Sequence, residues 1–186
     1  MLRVLVCQRP NWVSLLTVLT AAITLSACSS SSTPGLLTQA DIPSYLGVKL
    51  NPSASASEAR HGGNLAPGCR AAGNAAFGVP GVHIVTKLTA TSKSPAILNG
   101  VESCSTTSKA HDVYATFVKY LIGRSVTGVG NEAKLTNLSG TLARGFGIVW
   151  RTNNQVALIE VEGPTHDKRI TPALVELLAR RAAARS

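Results

Sequence analysis

The sequence predicts an α+β domain: an antiparallel sheet with a C-terminal β-hairpin, packed by two or three helices. Two observations carry that expectation. Around Asn153-Asn154, a pair that tolerates positive φ, β-rich runs between Gly145 and Val161 face each other as a hairpin. Two other stretches, near residues 106–122 and after Thr171, repeat apolar residues at helical spacing. Of 186 residues, 45% are apolar and 15% charged, with no Gly period and no sustained heptads. That composition excludes collagen-like, coiled-coil and wholly disordered chains.

Residues 1–27 stand apart from the rest. Arg3 and Arg9 are their only charges, and Val13 to Leu25 is an apolar run diluted by Ser, Thr and Ala. Spanning a bilayer takes roughly 20 apolar residues, so this shorter run behind a basic front reads as an export signal, with an uncleaved anchor as the alternative. The run closes on Leu25-Ser26-Ala27-Cys28, which resembles the lipobox of bacterial lipoproteins. The resemblance implies that the signal is cut just before Cys28 and that the Cys28 thiol carries a diacylglyceryl group; ordinary secretion with a spare thiol is the alternative. Each buried methylene contributes about 0.8 kcal/mol, so two or three acyl chains hold a protein on a membrane without spanning it. Residues 28–35 then form a lipidated Cys and a Ser-rich tether that cannot bury a core, and residues 36–186 a single globular domain.

Processing of that kind removes Cys7 and lipidates Cys28, leaving Cys69 and Cys104. An exported pair with no third partner reads as one disulfide. There is no CxxC for redox work and no neighbouring His at zinc-ligand spacing, so neither a metal nor a cofactor is expected.

Within the domain, Thr38 caps a short helix with Asp41 three residues on, where the carboxylate meets the positive end of the helix dipole. Residues 51–81, rich in Ser, Ala, Gly, Asn and Pro, read as a long irregular excursion pinned by Cys69. Val82 to Ala90 alternates as a half-buried strand does. Val113, Phe117 and Tyr120 or Leu121 predict a helix over Thr106 to Ile122, ending at Gly123 with Lys109 and Lys119 facing water. A Gly-punctuated stretch then leads to a short strand near Glu132 to Leu138. In the hairpin, Ile159 and Val161 are expected inside, with Glu160 and Glu162 on a solvated face. Thr171 caps the last helix, Pro172 takes its first position, and Leu174, Leu177 and Leu178 form its apolar stripe. Arg180, Arg181 and Arg185 suit its negative end.

Catalytic signals are sparse. The chain has no Gly-x-Ser-x-Gly elbow, no phosphate-cradling Gly-x-x-x-x-Gly-Lys and no His-Glu-x-x-His. His61, His83, His111 and His166 are scattered, and adjacent residues on a helix point apart, which weighs against His111-Asp112 as a base and its orienting carboxylate. Charge says more. Without Arg3 and Arg9, 16 Lys and Arg face nine Asp and Glu, a balance of +7. Lys168-Arg169 and Arg180-Arg181-Arg185 are candidate contacts for anionic headgroups or acidic polymers across a Debye length of roughly 8 Å; a merely solubilising surface beside an anionic membrane is the alternative. Nucleic acid is not an expected partner, because aromatic residues to stack bases are few.

Val126-Thr127-Gly128-Val129-Gly130-Asn131-Glu132-Ala133, the hairpin with Arg151 before its turn, and an Ala/Leu/Arg closing helix are together similar to small exported lipoproteins of actinobacteria, of the mycobacterial type. That group includes sensor-type domains found outside certain membrane kinases. The likeness covers residues 36–186 in layout and is specific over residues 126–162. It implies a fold and a place on the extracytoplasmic face of the cell membrane rather than a catalytic set. Kinase-linked sensor domains typically hold two disulfides, whereas this chain retains one pair of Cys. The expected function is a lipid-anchored, non-catalytic module of the cell envelope that binds a ligand or a protein. Its partners would be the membrane and an envelope protein, lipid or anionic polymer. The alternative is a carrier of lipid or glycolipid with an apolar cavity, and an enzyme ranks third.

Overall fold

The computed structural model describes residues 34–49, 66–73, 95–138 and 143–186. The export signal, Cys28 and the strand expected over residues 82–90 lie outside the described residues. Two 3-10 turns, Gln39–Asp41 and Ser44–Leu46, come first. They are followed by β1 (Cys69–Gly73), β2 (Ala96–Cys104), α1 (Thr107–Lys119), β3 (Gly123–Ser125), β4 (Glu132–Asn137), β5 (Ala143–Thr152), β6 (Gln155–Pro164) and α2 (Pro172–Ala183). The strands form one sheet in the order β1-β2-β6-β5-β4-β3 with every neighbour antiparallel, so the α+β expectation holds. No helix among the described residues is long and apolar enough to cross a membrane.

The hairpin is the centre of the sheet. Its loop is Asn153-Asn154, with Asn153 at φ 51°, a left-handed conformation that Asn adopts more readily than most residues. Asn154 then locks the turn to the end of β2: its side-chain Nδ2 donates to the Cys104 carbonyl at 2.8 Å, and its carbonyl accepts from the Cys104 N–H at 2.8 Å.

Alternation along β6 sends Ala157, Ile159 and Val161 to one face, where they pack with Ile148, Trp150, Leu174, Val175 and Leu178 under α2. Val156 and Leu158 go to the other face and meet Ala110 and Tyr114 of α1. Both faces are therefore covered, and eight consecutive residues of β6, from Val156 to Gly163, are buried.

Both helices start as their sequences predict: Thr106 Oγ1 accepts from the Lys109 N–H and Thr171 Oγ1 from the Leu174 N–H, each at 3.2 Å. Their ends and faces correct the expectation. Helix α1 stops at Lys119 rather than near Ile122, because Gly123 begins β3 and runs so close to β4 that an added Cβ would overlap the Leu135 carbonyl. The buried stripe of α2 is Leu174, Val175, Leu178, Ala179 and Ala182, and Leu177 lies outside it, exposed.

The expected excursion over residues 51–81 contains a strand, β1, on the sheet edge. Strand β2 carries no expectation at all, because Asn99, Gly100 and Glu102 interrupt its apolar alternation. Asn99 earns its buried place by accepting from the Leu37 N–H at 2.6 Å and donating to the Leu158 carbonyl at 3.0 Å.

Asp41 ties the first turn to the end of α2. It accepts from the Thr38 N–H and hydroxyl, at 2.6 and 2.8 Å, and bidentately from Arg185, at 2.8 and 2.7 Å. Arg185 also donates to the Leu36 carbonyl at 2.7 Å, and Arg181 to the Asp41 carbonyl at 2.6 Å. Burial alone would raise the Asp41 pKa, but the Arg185 and Thr38 bonds outweigh it and hold the carboxyl below its ordinary value. Stability from this pair is therefore present above about pH 4 and lost as pH falls below it. Arg185→Ala is expected to cost about 2 kcal/mol at pH 7 and to shrink that acid loss, as urea unfolding at pH 7 and pH 3 will report.

Candidate functional site

The two-residue hairpin fixes a register in which Gly147 faces Glu160 and Gly145 faces Glu162. On the opposite side of β6, Leu98 of β2 pairs with Glu160 and Ala96 with Glu162. The two carboxylates thus lie on the α1 face of the sheet, beyond Leu158, flanked by a pair of glycines and by small or apolar residues. The Cγ of Glu162 sits 2.7 Å from where a Cβ on Gly145 would be. A Cβ on Gly147 would lie 3.6 Å from Glu160 Cγ and meet Leu138 Cδ1 and Thr136 Cγ2 at 3.2 and 3.3 Å. These glycines make a recess that the glutamates occupy.

Contrary to the expected solvated face, Glu160 is 1% exposed and Glu162 is 4% exposed. The reason is topological: β6 is a central strand with both faces covered, so period-two alternation cannot place either side chain in water. Both Glu160 oxygens are buried without a hydrogen-bond partner. Burial, and secondarily the neighbouring charge of Glu162, push the Glu160 carboxyl up to about pKa 8. It is therefore held as a neutral acid at pH 7. An orphaned polar group of this kind calls for a ligand, an ion or a proton.

Elsewhere on the same face, Glu132 accepts from His111 Nδ1 at 3.1 Å and from Arg151 Nε at 2.5 Å. His111 thus has Glu132, not Asp112, as its carboxylate partner. Arg151 also donates to the Asn153 carbonyl at 3.1 Å, so this cluster braces the hairpin turn.

Cys69 and Cys104 form the expected disulfide, joining directly opposed residues of β1 and β2. Buried Glu102 approaches both sulfurs, the three potential donor atoms lying within 4.8 Å of one another. It holds the chain ahead of β1 by accepting from the Ala66 N–H at 3.3 Å. With the sulfurs joined to each other, the trio offers no thiolate to a metal.

The basic residues are largely occupied within the chain. Arg169 pairs bidentately with Asp167, at 2.8 and 2.6 Å, and donates to the Tyr45 carbonyl at 3.1 Å. Arg180 pairs with Glu176 at 3.3 Å, while Arg181 and Arg185 hold Asp41. Lys168 is exposed. The structure does not gather the five into one site; it splits them between the segment before α2 and the C-terminal end of that helix.

The glutamate recess was missed by sequence reasoning, yet its signal was there. Folding the chain about Asn153-Asn154 sets Gly145-x-Gly147 against Glu160-x-Glu162, two glycines facing two carboxylates on one sheet face. The chain matches no protein-family model, and no curated protein is significantly similar to it in sequence.

Proposed function

We propose that the chain is a lipid-anchored module of the cell envelope that binds a ligand or a protein without catalysis. The observation that carries the reading is Cys28, which closes an apolar export-type run six residues before the first described residue, Pro34. A domain stapled by a disulfide agrees with an oxidising compartment outside the cytoplasm. The interior between sheet and α2 is filled by Trp150, Ile148, Ile159, Val175 and Leu178, each no more than 1% exposed. That filled core supports a binding module over the lipid carrier that the sequence left as the alternative. Partners on this reading are the membrane, through acyl chains on Cys28, and an envelope component.

Metabolic labelling with palmitate tests the anchor. Label on the wild type, absent from Cys28→Ser, together with release of the variant from the membrane fraction, is the expected result. Equal label on both proteins, or none on either, would remove the anchor and with it the cellular address.

A further inference from the structure

We propose that the tip between α1 and β3, formed by Tyr120, Leu121 and Ile122, is a second membrane contact that seats on a bilayer carrying anionic phospholipid. The contact rests on the lipid-anchored reading and adds to it the face that the domain turns to the membrane. Its basis is an apolar side chain held out in solvent. Ile122 is 92% exposed and Tyr120 59%, whereas Leu121 between them turns inward to the cluster under α1. The backbone cannot withdraw them. Thr136 Oγ1 donates to the Ile122 carbonyl at 2.8 Å, the Tyr120 N–H donates to the Phe117 carbonyl at 3.3 Å, and Gly123 is pressed against the Leu135 carbonyl of β4.

Single exposed apolar residues are ordinary on a protein surface, but this pair is set among cations. Lys119 lies over the Tyr120 ring, 5.6 Å from its centroid. Two residues after Ile122, Arg124 pairs with Glu176 of α2, which Arg180 also meets at 3.3 Å. The Glu176 side chain is 13% exposed and lies beneath the two guanidinium groups, both of them exposed. Asp112, the other acid of α1, is seven residues back from Lys119, about 10 Å along the helix. An apolar point flanked by Lys119, Arg124 and Arg180, with a phenol at its border, matches the layers of a bilayer surface: acyl chains ahead, the interface at Tyr120 and anionic headgroups around.

A protein partner fits this tip less well. The β3 edge beside it is three residues long and offers a partner strand little ladder to extend. A second copy meeting it across a two-fold axis would set the three cations against their own counterparts. The bilayer, by contrast, is near. Six residues separate Cys28 from Pro34, a reach of at most about 20 Å. Acyl chains on Cys28 would hold the domain beside the membrane and make the second contact intramolecular. A two-residue apolar point, too weak to recruit a protein from solution, is then enough to orient one.

The test uses the full chain reconstituted in vesicles of equal parts phosphatidylcholine and phosphatidylglycerol. A photoreactive diazirine side chain is placed at position 122 or, for comparison, at position 108, which is exposed at the other end of α1. Illumination is expected to attach lipid to residue 122 about tenfold more than to residue 108, read by mass spectrometry of the peptides. In vesicles of phosphatidylcholine alone, and in Lys119→Glu with phosphatidylglycerol present, the yield at residue 122 is expected to fall about fivefold, while Lys119→Arg keeps it. No lipid at residue 122, equal lipid at both positions, the same yield with and without phosphatidylglycerol, or attachment of protein in place of lipid each overturns the proposal. Palmitate on Cys28 without lipid at residue 122 sinks the contact alone; lipid at residue 122 on a chain without palmitate sinks the anchor alone.

Discussion

Glu160→Gln is expected to make the protein more stable at pH 8, against the usual direction of core substitutions. The Glu160 carboxyl titrates near pH 8 in the folded chain and near 4.5 when unfolded. Between those values the native state holds a proton that the unfolded state has lost, so stability falls by about 1.4 kcal/mol per pH unit and stays low above pH 8. Across the window the loss is on the order of 4–5 kcal/mol. Glutamine escapes it but buries an amide with poor partners, a cost of about 1–3 kcal/mol. A net gain of about 2–3 kcal/mol at pH 8, vanishing near pH 5, is what urea unfolding should show. Glu102, raised by burial against the opposing Ala66 bond, contributes in the same direction and remains in the variant, so some slope persists. Asp41 and Glu132, both held below their ordinary values by their bonds to Arg185 and Arg151, act oppositely and remove stability in acid. Wild-type stability should therefore peak near pH 5. Identical pH slopes for the two proteins would contradict the buried, protonated Glu160.

Removing the Cys69–Cys104 bridge is expected to cost as much by a different route. The bridge closes a loop with a sequence separation of 35, and the chain-entropy relation then assigns it about 4 kcal/mol. It also helps to hold the five-residue β1 to β2, since among the described residues β1 pairs with no other strand. Cys69→Ala with Cys104→Ala should lower the melting temperature by roughly 8–16 °C and free β1 amides to exchange first. Protection of β5 and β6 should largely survive, because their ladder and their cover by α2 do not involve the bridge. A melting temperature shifted by only a degree or two would mean that β2 and the Glu102–Ala66 bond hold β1 unaided.

The hairpin, the two helix caps and the disulfide were legible in the sequence because each rests on a local rule. Asn153-Asn154 sets a turn, Thr106 and Thr171 each accept from the residue three positions on, and two cysteines have few ways to pair. Strand β2 was not legible, because Asn99 and Glu102 look like loop residues until Leu37 and Ala66 arrive from far along the chain to meet them. Glu160 and Glu162 were misread for a related reason. Alternation tells which residues share a face but not whether that face is covered, and the cover depends on β6 being a central strand. The Arg residues of α2 read as a basic patch because sequence shows their charge and hides Asp41 and Glu176, which absorb it.

Carboxyl-carbon NMR of Glu160, as a titration from acid to alkaline pH, tests most directly the claim that β6 buries this carboxyl as a neutral acid. The account predicts a midpoint near pH 8. A midpoint near 4.5 would contradict it, showing that water reaches the carboxyl in the folded chain.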